Sequence, residues 1–250
     1  MSPIEWIYPP EIRANPREMG KRALLAVRNE DVKILNEKVL ELLPGEYKDL
    51  LSVDASQSHE NEGFDALPVT EEFLNTLNPS GMPPHRLRLK VGMTVMLTRN
   101  LDVRRGLCNG VRLELLSMNS YMIHCRHITD AGTGDCMIPR FKFILSENNN
   151  ALKFSRLQFP VVPAQCLTVN KSQGATLDRV GLVLRHPAFA HGTNYVAFSR
   201  VRNWESLRIT TNKIYPIFGD GTRDIKIANP VAKDLLELAA LDPSEIEEHL

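Results

Sequence analysis

Cysteine is scarce in this chain: its 250 residues include four (Cys108, Cys125, Cys136 and Cys166), widely spaced and without a CxxC pair. That spacing argues against a zinc site or a disulfide framework and points to a reducing compartment. No apolar run approaches the ~18 residues of a membrane span. The opening segment MSPIEWIYPPEIRANP has no basic stretch leading into an apolar one, so it does not read as a secretory signal. Neither HExxH nor GxSxG occurs, and the seven histidines are scattered; His186 and His191 flank a loop and read as surface residues. The phosphate-binding pattern G-x-x-x-x-G-K-S/T is absent too, since Gly20-Lys21 lacks both the upstream glycine and the following hydroxyl residue. No strand-like run ends in Asp-Glu to hold a magnesium ion. Phosphoryl transfer needs those loop amides, the lysine and the metal together. These residues alone are therefore expected to turn over no nucleotide, and no metal ligands are assigned.

What is present is an ordinary soluble composition, 43% apolar and 24% charged, in a length that suits one large domain or two small ones. The formal net charge of zero hides segregation. Residues 30–72 carry 12 acidic and 3 basic side chains, whereas 81–112 carry 7 basic ones against Asp102 alone. Residues 153–212 carry 8 basic against 2 acidic, and the tail from Asp220 to Leu250 carries 8 acidic against 3 basic. Such blocks are often only solvated faces, but two basic blocks in folded sequence raise the case for a polyanionic partner.

Residues 1–20, rich in proline and polar groups, read as a linker. RALLAV (22–27) reads as a buried strand. Val32, Leu35, Val39, Leu42 and Leu43 follow at helical spacing, and Pro44-Gly45 stops the helix. Residues 52–80 look like a surface excursion. The segment 87–101, then VRLELL after the hairpin pair Asn109-Gly110, then 121–128 and 137–145, read as short strands with frequent turns. They suggest a small β-barrel, residues 73–152, inserted into an α/β domain made of 21–72 and 153–219. In the resumed α/β part, 157–169 reads as a strand, 180–184 as a buried strand, 191–201 as a helix and 207–210 as a closing strand. Residues 220–250 form an acidic tail with an amphipathic helix over 230–241.

Two segments could carry chemistry. In TVNKSQGAT (168–176) a strand runs into a loop where Gly174 permits close backbone approach, Lys171 supplies a point charge, and Ser172, Gln173 and Thr176 offer polar groups to phosphate oxygens. Taken alone, such a loop is more often a surface turn. In NYVAFSRVRNWESLRI (194–209), Arg200 and Arg202 stand at the end of a helix. They would serve a helix C-terminus, or Arg200 would act as an arginine finger on developing phosphate charge. Arg28, at the carboxyl end of the first strand, lies where open α/β sheets bind ligands, though a lone arginine there is more often solvated. Arg86, Arg88 and Lys90 alternate onto one strand face and, with Arg99, Arg104 and Arg105, could meet phosphates; the alternative is a merely solvated face. Aromatics are absent from 81–112, so any affinity there would be mainly electrostatic.

Together, in order along nearly the whole chain, these segments resemble the petite-integration-frequency (Pif-type) helicases of superfamily 1B, especially the branch found with Helitron transposons. RALLAVRNEDVKILNEKVLELLPGE is similar to motif IV of that family and residues 73–116 to its barrel insertion. FPVVPAQCLTVNKSQGATLDRVGL is similar to motif V, and HGTNYVAFSRVRNWESLRI to motif VI, with Thr193 and Asn194 where the family has Gln and Leu. The resemblance implies a RecA-like second motor domain of P-loop NTPase type carrying a small Src-homology-like barrel. It implies the C-terminal portion of an ATP-dependent DNA helicase, 5′-to-3′, acting in replication, repair, recombination, telomere maintenance or Helitron transposition; the alternative is a non-catalytic single-stranded nucleic-acid-binding module left from a truncated transposon helicase. Arg200 and Arg28 would reach the γ-phosphate; Gln173, Gly174 and Thr176 would meet nucleotide, and Asn170, Lys171 and Ser172 the DNA. ATP and Mg²⁺ would serve the complete helicase and not this chain alone. The implied partners are single-stranded DNA and a first RecA-like domain expected to precede residue 1. The protein is expected to be a monomer without a membrane partner, in the nucleus or, alternatively, the mitochondrion.

Overall fold

The computed structural model describes residues 2–56, 70–79, 81–128, 134–145, 153–186, 188, 190 and 192–211. In chain order the helices and strands begin with α1 (Pro3–Ile7), α2 (Pro10–Arg13), α3 (Pro16–Gly20), β1 (Arg22–Ala26), α4 (Asn29–Leu42), β2 (Tyr47–Leu51) and β3 (Val53–Ser56). There follow α5 (Glu71–Thr76), β4 (Arg86–Lys90), β5 (Thr94–Leu97), β6 (Arg112–Met118), β7 (Met122–His127), β8 (Asp135–Pro139) and β9 (Phe141–Leu145). The last are β10 (Phe154–Gln158), β11 (Val161–Pro163), β12 (Cys166–Thr168), β13 (Arg179–Leu184), α6 (Thr193–Phe198) and β14 (Leu207–Thr211). The chain divides into two compact units, one of Met1–Ile7, Arg22–Leu35 and the chain from Cys166 onward, the other of Tyr8–Lys21 and Asn36–Gln165. The second is wider than the 73–152 insertion expected from sequence, and the division falls inside α4.

The first unit is built on a parallel sheet in the order β12-β1-β13-β14. Its central strands are buried on both faces, with Ala23 to Ala26 at 0% exposure, as continuous apolar runs in parallel sheets require. Helix α1 packs on β1 and β13. It can approach closely because Gly181 has no side chain: a Cβ there would lie 2.8 Å from Leu24 Cδ2 and 2.9 Å from Ile7 Cγ1. On α4 the buried apolar positions are Leu35, Val39 and Leu40, with Leu43 buried just past its end; Leu42, expected on that face, is exposed.

The second unit holds the antiparallel sheet β11-β5-β6-β7-β8, the sheet β3-β10-β9 and the ladder β2-β4. Leu113, Leu115, Ile123, Val95 and Ile138 fill its core. A buried ion pair ties together segments far apart in sequence. Arg156 and Asp54 have fully buried side chains, joined at 2.7 Å between Nη2 and Oδ2. Arg156 also donates to the carbonyls of Leu74, Leu77 and Pro83, while the Ser52 hydroxyl donates to Asp54 Oδ1. All five guanidinium N–H groups thereby find acceptors, which is what makes burying this charge tolerable. Burial alone would raise the Asp54 carboxyl; hydrogen bonds from Arg156 and Ser52, with the guanidinium charge, outweigh it and hold the group below its ordinary value.

Several expectations change. Residues 157–169 are three short strands in three different sheets, and only β12 belongs to the parallel one. Pro160 and Pro163 interrupt the run, because proline donates no ladder hydrogen bond. Likewise 137–145 is divided between β8 and β9 after Pro139. The expected surface excursion contains β3 and α5, both held by the Arg156 cluster. The proposed linker is instead three short helices, with Ile7, Tyr8 and Met19 buried and the Tyr8 hydroxyl donating to Gln165 O at 2.7 Å. Asn109-Gly110 does not make a tight hairpin by itself; the β5–β6 connection carries an inner turn closed between Asp102 and Leu107. The helix expected over 230–241 lies outside the described residues.

Candidate functional site

In the first unit, the carboxyl ends of β1 and β12 deliver Arg28 and the loop after Thr168. Val169 extends the pairing by donating to Ala26 O, and a single 3₁₀ turn, Asn170–Ser172, then reverses the chain. Ser172 is fully buried, and its hydroxyl donates to Val169 O at 2.6 Å. The expected DNA contact from Ser172 is therefore corrected: the fold consumes that hydroxyl to close the turn. Asn170, Lys171, Gln173, Gly174 and Thr176 are exposed. Gly174 has φ +81°, a left-handed conformation that other residues adopt at a cost, and no heavy atom lies within 4 Å of where its Cβ would be. The loop thus offers open backbone, two amide side chains, a hydroxyl and one ammonium group, a set that suits phosphate oxygens.

Arg200 meets this loop. Helix α6 and the turn after it carry the side chain so that Nη1 donates to Ala175 O at 3.2 Å and to Ser172 O at 3.4 Å. Nε donates to Val196 O at 2.9 Å and Nη2 to Ser199 Oγ at 2.9 Å. In return, Arg200 O accepts from Leu177 N at 2.9 Å, which fixes the loop's far end. The half-buried guanidinium is thus latched to the loop that holds Lys171 and Gly174, leaving one Nη2 hydrogen uncommitted among the described residues. Arg28 is exposed. Arg185, at the end of β13, is taken by Asp31 at 3.7 Å. At the start of α6 Thr193 is buried, its hydroxyl donating to Ala190 O at 2.9 Å, so this departure from the family pattern anchors the helix.

In the second unit the basic block separates by burial. Lys90 is 6% exposed and its ammonium donates to Leu43 O at 2.8 Å. Its assignment to a phosphate-binding face is corrected, since the side chain turns inward to cap a carbonyl at the end of α4. Arg88 donates to both oxygens of Asp49, at 2.8 and 3.1 Å, and lies over the Tyr47 ring at 4.3 Å. Arg86 stands 3.5 Å from the same carboxylate. The hydrogen bond from Arg88 keeps the Asp49 carboxyl below its ordinary range despite partial burial. Two guanidiniums against one carboxylate leave a net positive patch. Arg104 and Arg105 are exposed on the inner turn, whose backbone is fixed by their amides donating to Asp102 Oδ1. Arg99 is exposed and lies over Phe141 and Phe143, at 5.1 and 5.6 Å from the ring centroids. These two phenylalanines escaped the sequence reading because they come from β9, about forty residues away; only their i, i+2 spacing hinted at a shared face.

A parallel α/β sheet with cationic and amide groups at its carboxyl edge, joined to an antiparallel β unit, defines a RecA-like motor domain carrying a 2B-type domain. The comparisons agree. Residues 72–118 match the family described as "DNA helicase Pif1, 2B domain". The chain is 34% identical over 189 residues to the ATP-dependent DNA helicase PIF1 of Xenopus laevis, covering 74% of this chain and 27% of that protein. It is 31% identical over 211 residues to the human ATP-dependent DNA helicase PIF1, covering 77% and 28%. Among solved structures it resembles Bacteroides Pif1 bound to ssDNA, with TM-score 0.60 and 22% identity over 90% of this chain and 46% of that one. It also resembles the Pif1 helicase of Candida albicans, with TM-score 0.58 and 20% identity over 82% and 50%. Over about three quarters of its length the chain is thus similar to Pif-type helicases. It spans about a quarter of the length of the curated relatives it matches.

Proposed function

We propose that these residues form the second motor half of an ATP-dependent DNA helicase that moves 5′-to-3′ on single-stranded DNA. The observation that carries this reading is the latch between Arg200 and the loop 170–176. Arg200, which would sense the γ-phosphate, is hydrogen-bonded to the backbone of the loop whose exposed Asn170 and Lys171 would meet a nucleic-acid strand. Arg200, assisted by Arg28, would stabilise charge on the phosphate, an effect worth about 10³–10⁵ in turnover where arginine fingers act. Gln173, Thr176 and the Gly174 backbone would hold phosphate oxygens. ATP and Mg²⁺ would be gripped jointly with a P-loop domain, because these 250 residues carry no P-loop sequence. The relatives' description as ATP-dependent DNA helicases supports the helicase reading.

On the second unit, Arg86, Arg88, Arg99, Arg104 and Arg105 would bind the strand's backbone without reading sequence. The purified chain, titrated with a single-stranded oligonucleotide by fluorescence anisotropy, should lose affinity steeply between about 50 and 200 mM salt. Arg86→Ala with Arg88→Ala should weaken binding and flatten that slope. Affinity indifferent to salt would contradict the reading. The ordered motifs resembling the Helitron-associated branch favour a nuclear role in genome maintenance or transposition; retention of a tagged chain in mitochondria would contradict it.

A further inference from the structure

We propose that Arg179 and Arg208, gathered on the ring of Trp6 at the amino-terminal edge of the parallel sheet, form a second surface for the phosphate backbone of nucleic acid. The inference rests on the DNA-binding reading above and extends it to the sheet edge opposite the 170–176 loop. Of the basic residues in 153–212, Arg156 is buried on Asp54, Arg185 is paired with Asp31, and Arg200 is latched to carbonyls. Arg179 and Arg208 have no such use: among the described residues, neither has a carboxylate within 4 Å.

Their placement follows from register. Arg179 opens β13 and pairs with Arg22 at the start of β1; Arg208 on β14 pairs with Gly181. Gly181 stands two residues after Arg179, so the three arginines project from one face of the sheet. Helix α1 crosses that face, drawn close by Gly181, and sets Trp6 among them. The guanidinium carbon of Arg179 lies 5.3 Å from the indole centroid and that of Arg208 5.9 Å, so the two are at most 11.2 Å apart. One nucleic-acid strand carries a charge about every 3.4 Å along its axis, so two guanidiniums this close together can meet phosphates of the same strand. A guanidinium laid on an indole keeps its N–H edge available, and that edge matches phosphate oxygens two at a time. Like charges held together on one ring repel; a polyanion relieves that repulsion.

The chain has two tryptophans, so Trp204→Phe leaves Trp6 as the sole indole emitter. In that background, titration with a single-stranded oligonucleotide at low salt should give a saturable change in Trp6 emission. Arg179→Gln with Arg208→Gln should abolish it and reduce the salt slope of binding by about 1.4, at ~0.7 per phosphate. Arg179→Lys with Arg208→Lys should restore part of both. If anisotropy shows the oligonucleotide bound while Trp6 stays silent, this surface is refuted and the loop reading survives. If no oligonucleotide binds, both fall. An equal or larger Trp6 response to polyglutamate at matched charge would identify an acidic protein segment as the occupant and overturn the assignment to nucleic acid.

Discussion

Replacing Arg156 by methionine should cost about 3–5 kcal/mol of the stability of the second unit, the range for removing one partner of a buried ion pair. The structure shows why the figure belongs at that scale. The substitution keeps roughly the same volume, but Asp54, with a fully buried side chain, retains among the described residues only the Ser52 hydroxyl at 2.7 Å. The carbonyls of Leu74, Leu77 and Pro83 lose the guanidinium donors they accept from. A domain of this kind has about 5–15 kcal/mol in hand, so the variant should still fold, with its midpoint lowered by roughly 10 °C. Arg88 supplies the internal control. It makes the same bidentate contact with a carboxylate, at 2.8 and 3.1 Å, but the pair is partly solvated. Arg88→Ala should therefore cost no more than about 1 kcal/mol. Adding Asp54→Leu to Arg156→Met should recover part of the loss, since no charge then remains buried. Urea unfolding monitored by circular dichroism measures all four proteins. An Arg156→Met variant within about 1 kcal/mol of the parent, or a double variant less stable than the single one, would refute the reasoning.

Gly181→Ala should destabilise the first unit by about 1–3 kcal/mol through overpacking, because the new methyl would sit 2.8 Å from Leu24 and 2.9 Å from Ile7; thermal unfolding checks this. Burial pushes the Cys125, Cys136 and Cys166 thiols up, while Cys108 is half-buried, so in native protein near pH 8 an aromatic disulfide reagent should titrate Cys108 first and the other three only after denaturant. Asp49, Asp54 and Asp135 are all held below their ordinary values by arginine partners. Depressed carboxylates contribute stability above their unfolded values, near 3.9, and lose it as pH falls through the folded ones, so acid unfolding should begin below about pH 4, and Arg156→Met should remove the share of that loss that Asp54 contributes.

Much of the motor half was legible in the sequence. RALLAV and VGLVL are continuous apolar runs, which only a doubly covered strand buries, and the spacing from Val32 to Leu43 announces α4. The loop 168–176 was legible because glycine and polar side chains follow directly on a strand. What was not legible depends on partners distant along the chain. Lys90 looks like its neighbours until Leu43 O appears beneath it, and Arg86 and Arg88 look free until β2 brings Asp49 alongside. Asp54 and Arg156 are 102 residues apart, so no local window could pair them. The division of 157–169 could have been read from Pro160 and Pro163, whose missing N–H groups forbid one uninterrupted central strand. Ser172 shows the opposite failure. Its residue type suits phosphate, but only the geometry of the 3₁₀ turn reveals that its hydroxyl is already engaged.

The role proposed for Arg200 is tested most directly by ATP turnover in a polypeptide where these residues follow a P-loop motor domain. DNA-stimulated hydrolysis should fall by about 10³-fold or more on Arg200→Ala, with Arg200→Lys failing to restore it because lysine lacks the planar donor fork. Turnover that persists within a few-fold of the parent after Arg200→Ala would contradict the assignment.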